Sequence, residues 1–301
     1  MNLRLLLLLL ALPSALPALA DTATPPGVLA APLRLASAAQ VAEILPPSAR
    51  DSNQLTRGLD VMAAVYTKAL DKDNADWNPK NAQWNVVAQQ VKRDISQDAQ
   101  QLIDNNGPGF NEHFAEATAA HLSAKDAQAI GTYYQTTEGK RYRQFVDTLD
   151  NLVADALSNA QRLSLVGTPP TPEELEQPIP EDKLAERQRL IELSEGYRIV
   201  QAKFGGSDSD RALNLFLHLT NLYNGDSLDK LGQQYADDLA HFETFSQSDA
   251  AGALHQALGA ATGEMMPSIS GLQRALDAAA RKHQDDWLKL YQKTTQTNAK
   301  P

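Results

Sequence analysis

The chain has 301 residues, 27 Lys and Arg against 37 Asp and Glu, a formal charge of −10 and no cysteine. With a pI near 5.1, it lacks the basic face that general nucleic-acid binding needs to displace counterions, and the same balance argues against adhesion to anionic lipid. Zero cysteines exclude disulfides, thiolate catalysis and cysteine-based zinc sites, so a hydrophobic core must supply the stability.

Residues 1–20 read as a Sec-type signal peptide. Arg4 gives a positive start, Leu5 to Leu12 is an apolar run of about 8 residues, too short to span a bilayer, and Ala18-Leu19-Ala20 fits the small-x-small cleavage rule. Cleavage is expected between Ala20 and Asp21. No later stretch is apolar enough for stable membrane insertion, so a soluble periplasmic protein is expected, with secretion as the alternative. Residues 21–36 are rich in Pro and Ala and are expected to be disordered.

From Ser37 the apolar residues recur at helical spacing, and no segment alternates with period two. A short helix is predicted over Ser37 to Leu45, ending at Pro46-Pro47. A second covers about Ser48 to Lys72, with Leu55, Leu59, Met62, Tyr66 and Leu70 on one face. A third starts after Pro79 and aligns Trp84, Val87, Val91, Ile95 and Leu102. Asn105 to Gly109 stops it. A short helix over about Phe110 to His121 follows. Ser123 then caps the next, with Asp126 at the capping-box position. That helix runs to Tyr133-Tyr134, Thr136 or Thr137 restarts the chain, and a long helix carries Tyr142, Phe145, Leu149, Leu152, Ala156 and Leu163.

Segment 167–180 holds five prolines in fourteen residues and reads as a linker, although Thr171-Pro172-Glu173-Glu174 can start one helical turn. Beyond it one helix is predicted over Glu181 to Phe204, ended by Gly205-Gly206. Another runs to Asn224-Gly225. A third, capped at Asp226 or Ser227, bears Leu228, Leu231, Tyr235, Phe242 and Phe245. Ser248 caps a segment to Met266, and a last helix runs from Pro267 to about Lys293. The expected fold is therefore all-α: a multi-helix bundle or array in two helical halves, 37–166 and 181–301, joined by the Pro-rich segment 167–180.

The most distinctive string is TYYQTTEGKRYRQF, Thr132 to Phe145. Two aromatics end one helix, a Thr caps the next, and Gly139 leaves room for a close backbone approach. Segment HLSAKDAQAIGTYYQTTEGKRYRQF resembles the DUF2059 family of exported bacterial proteins, through Asp126, Tyr133, Tyr134, Thr136, Gly139 and Lys140. Thr137 stands where that family often has proline. The resemblance covers roughly Gln100 to Leu157 and implies an all-helical periplasmic module whose family has no established activity. Lys140, Arg141 and Arg143 oppose the macrodipole at this helix start. They form a candidate anion- or partner-binding patch, and Asp147 is one turn from Arg143.

A shift of 112 positions lays this joint over Thr244 to Ala257. Thr132 meets Thr244, Tyr133 meets Phe245, Gln135 meets Gln247, Thr136 meets Ser248, Tyr142 meets Leu254 and Gln144 meets Gln256. A degenerate duplication of the joint would produce this pattern.

Other chemistry is weak. Glu112, His113, Glu116 and His121 have the residue types of a metal site but not HExxH spacing. The run from Asp71 to Asp76 lacks the later ligands of a calcium loop. His218, His241, His255 and His283 read as interior or boundary histidines. Trp77, Trp84 and Trp287 are candidates to line a sugar or peptide groove, although Trp84 lies on a helical stripe and suits a core better. No cofactor, metal or catalytic residue is expected. The sequence favours a non-enzymatic interaction or scaffold protein with an unidentified protein partner. The alternatives are a chaperone-like binder of exported polypeptides, and an envelope hydrolase with a Glu/Asp/His site outside known motifs.

Overall fold

The computed structural model describes residues 34–45, 52–106, 109–166, 171–175 and 178–296. The chain is all-α. Among the described residues the sole β feature is an isolated antiparallel bridge between Leu35 and Ser123. The helices are α1 (Ala38–Ile44), α2 (Ser52–Ala69), α3 (Ala82–Asn106), α4 (Gly109–Ala119), α5 (Ala124–Gln135), α6 (Thr137–Val166), α7 (Pro172–Leu175), α8 (Glu181–Glu192), α9 (Glu195–Phe204), α10 (Gly206–Gln234), α11 (Leu239–Ser246) and α12 (Asp249–Gln296).

Their starts follow from side-chain caps. Ser37 and Gln40 form a reciprocal capping box on α1, and Ser123 Oγ accepts from Asp126 N at 3.1 Å on α5. In the Pro-rich segment, Thr171 N donates to Glu174 Oε2 at 2.8 Å while Thr171 Oγ1 accepts from Glu174 N at 3.1 Å, a second such box that starts α7. Residues 34–36, assigned from sequence to the N-terminal segment expected to be disordered, are tied to the α4–α5 turn. Ala36 N donates to Leu122 O, and Ala124 N to Arg34 O, each at 2.8 Å.

Four boundaries differ from the sequence-based expectation. The helix predicted over Glu181 to Phe204 is split at Leu193-Ser194. Ser194 Oγ accepts from Tyr197 N at 3.2 Å, and the buried Asp150 carboxylate of α6 accepts from Glu195 N at 3.0 Å, so two acceptors satisfy a new helix start. The stop predicted at Asn224-Gly225 is a kink inside α10, with Asn224 at φ −136° and ψ 21°. Asn224 Nδ2 donates to Leu152 O at 2.8 Å. The buried Arg187 of α8 bonds Asn221 before the kink and Asp229 after it, which holds the two parts together. The helix predicted from Asp226 through Phe245 breaks at 235–238, where the Tyr235 ring packs on Phe145 and Phe242. The break predicted at Pro267 does not occur, and α12 runs through it for 48 residues. At 1.5 Å per residue that helix is about 72 Å long.

Among the described residues three clusters of buried side chains make up the core. The first joins α6 to α8, α10 and α11, with Phe145, Leu149, Leu190, Phe216 and Phe242 at its centre and Ile179 beside them. The second packs α1, α4 and α5 on the first part of α12, through Val41, Phe114, Ile130, Ala257 and Leu258. The third packs α2 and α3 on the last part of α12, through Trp77, Val87, Val91, Ile95 and Trp287. Each cluster contains residues from both sides of 167–180, and α12 runs through two of them. No described helix is long and apolar enough to cross a membrane.

Candidate functional site

The joint predicted at Thr132 to Phe145 forms the α5–α6 corner. Thr136 is the single residue between the two helices. Its Oγ1 accepts from Gly139 N at 3.0 Å and donates to Tyr133 O at 2.7 Å. A Cβ on Gly139 would lie 1.9 Å from Tyr133 O and 2.9 Å from Tyr134 Cα, so the corner closes only around glycine.

The segment 112 positions later forms the α11–α12 corner. Ser248 Oγ accepts from Ala251 N at 3.3 Å, matching Thr136 and Gly139. Ser248 N donates to Phe245 O at 2.9 Å, as Thr136 N does to Tyr133 O at 2.9 Å. Thr132 and Thr244 each donate back to the carbonyl four residues earlier at 2.8 Å. Burial repeats as well: Ile130 and Phe242, Phe145 and Ala257, and Leu149 and Ala261 are each fully buried at matched positions. The corners also touch one another. The Tyr133 and Phe245 rings stack with centroids 3.7 Å apart and planes 13° apart. Tyr134 and Phe245 both pack on the first and second clusters, so the paired corners lie at the seam between them.

The three predicted bases have separate fates. Arg141 pairs with Asp238 at 2.5 Å and lies over the Tyr235 ring at 5.2 Å. Arg143 donates to Leu45 O at 3.0 Å and lies over the Tyr134 ring at 4.9 Å. Both bind the protein's own α11 entry and α1 exit. Lys140 is exposed on the first turn of α6.

Beneath the corners lies a polar seam that sequence reasoning missed. It gathers Asp150, Ser194, Glu195 and His255, all buried, with Arg198 and the tyrosines of the joint. Burial, with Glu138 and Asp238 nearby, pushes the Tyr133 hydroxyl up to about 12. Burial first and then the Arg198 charge pull His255 down to about 3, so its imidazole is neutral. Asp150, Glu195, Arg198 and His255 come from α6, α9 and α12, elements that no linear motif connects.

The remaining candidates separate in space or serve packing. Glu112, His113 and Glu116 are exposed, and His121 pairs with Glu264 at 2.6 Å. No group of three metal-ligating side chains occurs among the described residues. The Asp71–Asp76 turn is knitted by Asn74, which bonds Asp71 and the Asp76 amide, and by Lys68, which donates to Asn74 O and Trp77 O. Trp77 and Trp287 are buried with Nε1 bonded to Thr67 O and Asp94, each at 2.7 Å. His283 contacts Asp98 at 3.1 Å, His218 is half-buried and His241 is exposed.

The structure also forms an open cleft of about 380 Å³ between α2, α3 and α6. Its floor is Val61, Ala64, Trp84 and Ala88, and its rim is polar. The consecutive helices α2 and α3 build it together with the more distant α6, so periodicity in any one of them does not reveal it.

Fold and site together define an all-α helical array organised about two matched aromatic corners. No family model, curated protein or solved structure matches the chain.

Proposed function

We propose that this chain is an exported interaction or scaffold protein, periplasmic after cleavage between Ala20 and Asp21, built on a duplicated DUF2059-like corner. The observation that carries this reading is how the most distinctive motif is used. Tyr133, Tyr134, Thr136 and Gly139 close a corner, and Arg141 and Arg143 tie that corner to α11 and α1. The motif organises the frame, with Thr136, Lys140 and Arg141 exposed at the start of α6. Among the described residues the exposed large apolar side chains, Leu35, Val86, Leu184, Met266 and Leu288, are scattered along the chain. Scattered positions of this kind suit contact with a folded partner better than capture of an unfolded chain.

Crosslinking of the full chain in its native envelope, followed by mass-spectrometric identification, tests the reading. A reproducible partner is expected, with a lower yield from Lys140→Glu. Replicates with no common partner would overturn it.

A further inference from the structure

We propose that the cleft between α2, α3 and α6 is a binding site for a small amphipathic monocarboxylate. The volume, about 380 Å³, falls at the small end of the range for ligand sites, roughly 300–1,000 Å³. The floor is apolar and is made partly of small residues, Ala64 and Ala88, so space is left above them for hydrocarbon. The protein already fills the neighbouring space with aromatic side chains, since Trp84 packs on Trp77 at 5.3 Å, and this backs the floor rigidly.

The rim selects charge. The chain as a whole carries −10, yet the described residues lining the cleft include two cations, Lys92 and Arg162, against one anion, Asp60. Lys92 and Asp60 neutralise one another across 2.5 Å. Arg162 is different: its hydrogen bond among the described residues is a long one, 3.3 Å to Asn159 Oδ1 from the preceding turn of the same helix. A guanidinium has five N–H donors in a planar fork that matches a carboxylate in two-pronged geometry, and Arg162 lines the cleft with its side chain exposed. The net of one positive charge suits a monoanion. A dianionic phosphate would be incompletely neutralised by that single net charge.

The site stands apart from the partner reading, and a failed crosslinking experiment leaves it intact. The test is calorimetric titration of the full chain with octanoate below its micelle concentration, beside octan-1-ol and octylamine. Saturable one-to-one binding of octanoate is expected, with octanol at least tenfold weaker and octylamine inert. Arg162→Gln should weaken octanoate at least tenfold and reduce the preference over octanol. Ala88→Leu, which fills the floor, should abolish binding of both. Arg162 is exposed, so its variant keeps the test decisive if Ala88→Leu fails to fold. No saturable octanoate binding by the unmodified chain would overturn the proposal. So would octanoate affinity unchanged by Arg162→Gln, or octylamine binding as tightly as octanoate.

Discussion

Tyr133 and Phe245 stack face to face, with ring centroids 3.7 Å apart and planes inclined by 13°. They occupy the same place in two helical corners, each two residues ahead of the helix cap's neighbour, Gln135 and Gln247. The contact is thus a seam between like elements, and it links α5 and α6 to α11 and α12, which are far apart in sequence. Replacing either ring by alanine should destabilise the fold by about 3 kcal/mol. The double variant should fall short of the sum, with a coupling of roughly 0.5–1.5 kcal/mol for the ring pair. Tyr133→Phe should behave in the opposite way. The Tyr133 hydroxyl is buried and makes no hydrogen bond among the described residues, so its removal should be neutral or stabilising. Urea midpoints of the four variants measure all of this. A Tyr133→Phe chain as unstable as the alanine variant would contradict the contact.

Two glycines should respond in opposite directions to alanine. At Gly139 the added Cβ would overlap the Tyr133 carbonyl and the Tyr134 backbone. Because both obstacles are main chain, the corner must open, and a loss of about 2–3 kcal/mol is expected. At Gly271, within α12, nothing lies within 4 Å of such a Cβ. There the helix preference of alanine acts alone and should stabilise by about 0.5–1 kcal/mol. Thermal melts of the pair read the sign of each change.

Much of this fold was legible because local rules and tertiary packing agree. Trp84, Val87, Val91 and Ile95 share a stripe in sequence and a core in space, and Ser37, Ser123 and Thr136 cap where their types and positions indicate. Breaks were harder, because partners from elsewhere decide them. Asp150 makes a helix start out of Ser194-Glu195, and Arg187 holds a helix together across Asn224. Neither partner is visible in the local window. The corner residues were found because they are adjacent in sequence. The cleft was not, since Asp60, Lys92 and Arg162 meet only after three helices have packed.

Acid should reveal the clamp on α10. Hydrogen bonds from Arg187 lower the Asp229 carboxyl to about 2, with Lys183 adding to the effect. In the unfolded chain it titrates near 4. A carboxyl depressed by folding contributes stability above its unfolded pKa, and that contribution disappears as pH falls from about 4 towards 2. Asp229→Asn removes the charge and leaves the buried Arg187 uncompensated, so a deficit of about 3 kcal/mol is expected at neutral pH. The deficit should hold constant down to about pH 4 and then shrink as the unmodified carboxyl is itself protonated. Urea unfolding of both chains between pH 7 and pH 2 checks the shape. A difference that stays level to pH 2 would show that the charge on Asp229 is not what holds α8 on α10.

Pro267 poses the sharpest question about α12. Proline has no N–H for the carbonyl of Gly263, and its ring crowds that carbonyl, so a break was the natural expectation at this point. The helix continues because both flanks are anchored. Leu258, Ala261 and Met265 are buried in the second cluster before it, and Leu276, Ala280 and Trp287 are buried in the third after it. Packing at the two ends outweighs a local cost of up to about 3 kcal/mol. Met266 and Pro267 themselves are exposed, so replacing the ring sacrifices no core contact. Pro267→Ala should restore the missing hydrogen bond and raise the unfolding free energy by about 1–3 kcal/mol. A lower urea midpoint in that variant would carry a different meaning. It would show that the ring sets the course of α12 between the two clusters, and that straightening the helix strains their packing.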